Sequence, residues 1–241
     1  MIGLIFDSLN ADSPFNDKRV RQAVDFAINK DALVKAKGYG YWKGANQMAP
    51  AGNAAYDPNF SGRYYDAEIA KQLLADAGYS EGFDWRLVVA PLGIDKDVVA
   101  GIQDYLGKVG IRISTEFPVY AKYLEYRQLG PWSGAILMQP MLMPSNLNQW
   151  FSIYMSTKEG IFQSLKRPDG FQEMIDKSLA TPEPDIDIIK EMCNLVYDEA
   201  TVIPLYSAAT CFAYSDKVND AGFVTLDDSF SWTPWRAWLS K

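Results

Sequence analysis

From Asp17 onward, apolar residues recur at Val20, Ala23, Val24, Ala27 and Ile28. That is the i, i+3, i+4, i+7, i+8 spacing of one helix face, and Arg19, Arg21, Asp25 and Asn29 fall on the others. The spacing predicts a helix from about Asp17 to Lys37, capped by Asn16 or Asp17, with Phe15 packed on its first turn. Gly38 to Asn53 mixes glycines and prolines with aromatics and reads as a long loop. A second amphipathic helix runs from the cap Asp66 to Ala77 on Ile69, Ala70, Leu73, Leu74 and Ala77, with Gly78 as its stop. Arg86 to Ala90 is a strand. A third helix carries Val98, Val99, Ile102, Leu106 and Val109, and Ile111 to Phe117 alternates as a half-buried strand. Tyr120 to Leu129 is a short helix, Ala135 to Met138 an apolar strand, and Phe171–Ala180 and Asp185–Glu199 paired helices. Strands alternating with helices predict an α/β layer with a mixed sheet.

Composition narrows the functional classes. The 241 residues are 48% hydrophobic, enough for a packed core, and carry a net charge of −7 without any basic stripe, so nucleic acid and anionic membranes are poor partners. There is no histidine. That removes the usual general base, the commonest metal ligand and every Ser-His or Cys-His nucleophile pair. Cys193 and Cys211 are read as two buried thiols, with a disulfide as the alternative. No nucleophile elbow or phosphate loop occurs. Gly38-Tyr39-Gly40-Tyr41-Trp42-Lys43-Gly44 misses the dinucleotide-binding spacing by one residue and follows a helix rather than a strand. The paired acids Asp185/Asp187 and Asp227-Asp228 read as helix caps and solvated faces. No cofactor or metal is implied.

The string Ser13-Pro14-Phe15-Asn16-Asp17-Lys18-Arg19-Val20-Arg21-Gln22-Ala23 resembles the opening of the second lobe of extracytoplasmic solute-binding proteins of the peptide/nickel class, family 5. Tyr65 to Tyr79 followed by Gly82-Phe83, Leu106 to Ile111, and Ala200 to Tyr206 extend the resemblance over nearly the whole sequence. It implies a periplasmic-binding-protein-like lobe, a mixed sheet flanked by helices, that belongs to an ABC importer and has no catalysis. A peptide-like or other small solute would be captured by closure of two lobes and presented to the permease subunits, in the periplasm or another extracytoplasmic space, with lipid anchoring left open. The resemblance further implies that an export signal and a first lobe precede the segment at Ser13. Residues 1–11 are then expected to come from that missing first lobe, 12–207 to form the second lobe, and 208–241 to return to the first.

The expected ligand contacts follow the two irregular segments rich in aromatic, amide and thioether groups: Tyr39, Tyr41, Trp42 and Gln47 in one, Met138, Gln139, Met141, Met143, Asn146, Asn148 and Trp150 in the other. Flat rings stack on ligand faces and methionines adapt to varied shapes. Two prolines, Pro140 and Pro144, argue against regular pairing there. Peptide-binding members of the family commonly carry a Trp and an Asp in the second segment, the Asp pairing with the peptide amine. Here no acid lies between Glu125 and Glu159, so a free-amine peptide is disfavoured unless a first lobe supplies the acid, and a neutral or amide-rich solute, such as a blocked peptide or a glycoside, is the expectation. The rival readings are a carboxylate-dependent hydrolase or transferase and a ligand-sensing receptor module of the same fold.

Overall fold

The computed structural model describes residues 1–128, 134, 136–141, 147–158, 160–209, 213–226, 229–232 and 234–240. Its centre is a six-stranded sheet in the order β2-β6-β1-β5-β3-β4, built from β1 (Ile2–Phe6), β2 (Lys43–Gly44), β3 (Phe83–Val89), β4 (Ile111–Glu116), β5 (Ile136–Pro140) and β6 (Val202–Ser207). β1 is antiparallel to both neighbours, with Ile2 opposite Pro140 and Phe6 opposite Ile136, whereas β3 runs parallel to β4 and β5. Strands β3 to β6 therefore end on one edge of the sheet, where β1 begins. β1, part of the 1–11 segment expected to come from a first lobe, lies at the middle of the sheet, paired with β5 and β6. Its five residues are too short a run to show a period, yet all are buried.

Alternation along the strands feeds two cores. Leu4, Phe6, Leu87, Val89, Ile136, Met138, Ile203 and Leu205 face one side and meet α1 (Lys18–Ala27), α3 (Ala67–Asp76) and α4 (Lys96–Lys108). Ile5, Val88, Leu137 and Val202 face the other and meet α6 (Leu147–Met155), α7 (Phe171–Leu179) and α8 (Ile186–Asp198). Two further helices are α2 (Lys30–Lys37) and α5 (Tyr120–Gln128). The predicted stripe of α1 is fully buried at Val20, Ala23, Val24 and Ala27. The helix predicted to run on to Lys37 is broken at Ile28, and the Asn29 side chain accepts from the Ala32 amide to start α2.

The Pro-Phe-Asn-Asp-x-Arg-Val-Arg string turns out to be scaffold. Phe15 stacks on Phe6 with ring centroids 4.9 Å apart, and Asp17 caps α1. Arg21 is buried. Its guanidinium donates to the carbonyls of Phe15 (2.8 Å), Asn16 (3.0 Å) and Glu199 (2.9 Å), tying the entry of α1 to the end of α8. Burial lowers its pKa to about 10, which leaves it charged at neutral pH. Past Ser207, β7 (Val218–Asn219) pairs with β10 (Trp238–Leu239), and β8 (Phe223–Leu226) with β9 (Ser229–Trp232). Neither pair joins the main sheet.

Candidate ligand-binding site

In open α/β sheets, ligands settle outside the carboxyl ends of the strands, because loops diverge there and leave a crevice. Here that edge holds a groove of about 400 Å³, lined by Met1, Lys43 to Gln47, Ala49, Pro50, Ala51, Tyr56, Phe60 and Ser207. A smaller cavity of about 270 Å³ shares Gln47, Tyr56 and Phe60 with it and extends to Lys190, Cys193 and Asn194. The groove thus lies where β1 enters the sheet and β6 leaves it.

Its wall is the loop after β2, held by a buried charge network. The Lys30 ammonium is 2.7 Å from the Asp25 carboxylate and donates to the Ala45 carbonyl (3.0 Å) and Asn46 Oδ1 (3.2 Å). Arg63 reaches the same carboxylate at 3.3 Å, donates to the Tyr197 and Asp198 carbonyls, and lies 3.9 Å above the Tyr197 ring. Two cations share one anion. The arrangement is tolerable because carbonyls and an amide oxygen accept the remaining donors. Gln47 adds a two-point clamp: its Nε2 donates to the Asp57 carbonyl at 2.9 Å, and its Oε1 accepts the Asp57 amide at 3.0 Å.

Of the described residues expected to bind ligand, only Gln47 lines this groove, and its amide is spent on the clamp. Tyr39 and Tyr41 are 86% and 69% exposed, on a turn in which Tyr39 has φ 48°. Trp42 stacks on Tyr206, centroids 4.8 Å apart, against the α1/α3/α4 core. Met138 is buried in that core, and Met141 in the opposite one. Gln139 accepts a hydrogen bond from the Tyr123 hydroxyl, and Asn148 Nδ2 donates to the Ser178 carbonyl at 3.0 Å. Trp150 on α6, 1% exposed, packs among Phe151, Tyr154 and Phe162. Met143 and Asn146 lie outside the described residues.

Sequence reasoning passes over Lys43 and Asn46. The only signal is their place in or beside the string that fails as a dinucleotide motif. The acids read as caps include Asp185, which accepts from the amides of Asp187 and Ile188 at the start of α8; Asp227 and Asp228 lie outside the described residues. Cys193 is a buried free thiol, its pKa pushed to about 12 by desolvation, and Cys211 likewise lies outside the described residues. Among the described residues no cluster of acids and cysteines is arranged to hold a metal ion, and no helix is long and apolar enough to cross a membrane.

An α/β lobe with a groove at the carboxyl edge of its sheet, between the entering and leaving strands, has the architecture of a periplasmic binding protein. The chain belongs to the bacterial extracellular solute-binding proteins, family 5, whose middle-region model matches residues 3–158. It is 35% identical over 236 residues to the glutathione-binding protein GsiB of Escherichia coli, covering 90% of this chain and 44% of that protein. It is 31% identical over 234 residues to heme-binding protein A of Haemophilus influenzae, covering 88% of this chain and 40% of the relative. The oligopeptide-binding protein AppA of Bacillus subtilis, solved with a nonapeptide, superposes with a TM-score of 0.80 at 15% identity, over 100% of this chain and 50% of that one. The 241 residues therefore span less than half the length of the two curated relatives. Members of the family are binding proteins and not enzymes.

Proposed function

We propose that this chain forms the second lobe of an extracytoplasmic solute-binding protein of an ABC importer. In this reading the groove at the carboxyl edge closes on a peptide-like or other small solute against a first lobe, and the closed form is what the permease recognises. Residues 208–241 belong with that first lobe. The observation that carries the reading is the position of the groove, beside Met1 and Ser207, at the two points where the backbone passes in and out of the sheet. Hinge segments there would bring a facing lobe directly over it. Glutathione, heme and a nonapeptide are the solutes named for the three relatives above.

The test is a thermal-shift and calorimetric screen of the full-length protein against glutathione, hemin and di- to nonapeptides. A ligand at 100 times its dissociation constant should raise stability by about 2.7 kcal/mol. A well-folded protein that binds none of these solutes, or one that turns them over, would defeat the proposal.

A further inference from the structure

Pleating sorts the side chains of β2 between two environments. Gly44 points toward α2: a Cβ built on it would lie 2.9 Å from Asp31 Oδ1 and 3.6 Å from Lys30 Cβ. Trp42, two residues from Gly44, lies on that same side, stacked on Tyr206, the residue opposite Gly44 in β6. Lys43 falls between them in sequence and so projects to the other face, with Ser207 directly across from it. Both line the groove.

Three features of the groove then agree. Among the described residues, Lys43 is the one charged side chain lining it, it is exposed, and no carboxylate lies within ion-pair distance of its ammonium; Asp31 lies beside Gly44, on the opposite face. Asn46, also in the lining, has its carbonyl oxygen taken by the Lys30 ammonium, which leaves its Nδ2 as the end that can donate. Ser207 adds a hydroxyl. Gln47, whose oxygen would otherwise offer an acceptor, is committed on both atoms to Asp57. The groove therefore presents donors and a positive charge, with its amide acceptors already engaged.

We infer that this groove is a carboxylate-binding subsite, in which Lys43, Asn46 Nδ2 and the Ser207 hydroxyl receive an acid group of the captured solute. The inference rests on the solute-binding reading above and reverses the neutral ligand expected from the amide-rich sequence. A charge-assisted hydrogen bond from a Lys to a carboxylate is strong enough in a closed, water-poor cleft to select the ionised acid over its amide or ester. The interaction requires Lys43 specifically, since the two buried cations nearby, Lys30 and Arg63, already share Asp25.

The test is calorimetry on the full-length protein with five probes: trialanine, trialanine amide, glutathione, the monoethyl ester of glutathione at its glycine carboxyl, and the diethyl ester. Wild-type protein should prefer the free acid of at least one series by about 10–100-fold. Lys43→Met should abolish that preference while leaving the unfolding midpoint unchanged, and Lys43→Arg should retain it. Loss of affinity on amidation or on the glycine ester assigns the bound group as the C-terminal carboxylate of a peptide. Retention with the glycine monoester and loss only with the diester assigns it to the γ-glutamyl end. Equal binding of free and fully blocked forms by the wild type, or a preference that survives Lys43→Met, overturns the assignment and leaves solute binding standing. Binding of no probe in any form by the folded wild type overturns the solute-binding reading, and this subsite with it.

Discussion

Asp7 follows β1 with a fully buried carboxylate. Its Oδ2 accepts from the Gly134 amide at 2.9 Å and the Asn10 side-chain amide at 3.5 Å, while Oδ1 has no partner among the described residues. Desolvation dominates, so its pKa is raised above 3.8 despite those bonds. A carboxyl group with a raised pKa binds its proton more tightly in the folded state than in the unfolded one. The fold is therefore favoured at low pH, and this contribution is lost as pH climbs from 3.8 through the raised value. Asp7→Asn has no such proton to lose. The difference in stability between wild type and variant, from urea unfolding at pH 4 to 7.5, should shift in favour of the variant as pH rises, then level off. Parallel curves for the two proteins would show that the carboxylate is compensated in the fold. Nothing in the sequence marks Asp7 for this role, because the strand before it is too short to recognise and Gly134 is distant in sequence.

At the level of elements, legibility depends on the length of each period. α1, α3, α4 and α8 are readable because each repeats its apolar spacing over two or more turns and starts with an Asp cap at 17, 66, 95 or 185. α6 has an equally regular stripe in Leu147, Trp150, Phe151, Tyr154 and Met155, yet the prolines at 140 and 144 draw the reading toward an irregular binding segment. The helix buries Trp150 and Asn148, two of the residues expected as ligand contacts. The site is less legible than the fold. Whether an amide faces solvent or is spent on a backbone clamp, as Gln47 is on Asp57, depends on a partner ten residues away in a turn without periodicity. Turn chemistry between elements is more explicit. Gly82 has φ 69° just before β3, and a Cβ there would come 2.0 Å from the Gly110 carbonyl oxygen, the acceptor for the Phe83 amide that opens the β3/β4 pairing. Gly82→Ala should destabilise the lobe by ~2 kcal/mol or more through strain at positive φ and displacement of that carbonyl. A change below about 0.5 kcal/mol in chemical denaturation would mean that the two turns are free to move apart.

At the scale of the molecule, the segment beyond β6 is organised unlike the rest. The strands of residues 2–207 share one sheet with a core on each face, whereas among the described residues the strands of 218–239 pair only with one another, and Tyr214, Trp235, Trp238 and Leu239 are 59%, 74%, 58% and 72% exposed. Large apolar side chains left this exposed point to a surface that another body covers. Burying a Trp is worth roughly 1.5–3 kcal/mol, so leaving several in water is costly unless they are covered in the protein as it functions. The curated relatives extend over more than twice this length, and the first lobe proposed above is the natural cover. Hydrogen exchange on the 241-residue polypeptide should then show the amides of Val218, Asn219, Trp238 and Leu239 exchanging far faster than those of β1 and β5, which are paired within the sheet. In the full-length protein the same four amides should gain protection approaching that of the core, and acrylamide quenching of tryptophan fluorescence should fall. Protection that is already high in the shorter polypeptide while it remains monomeric would show that the segment is a self-sufficient part of this lobe. The assignment of 208–241 to a facing lobe would then be wrong, while the fold of residues 2–207 and the groove at its carboxyl edge would stand unchanged.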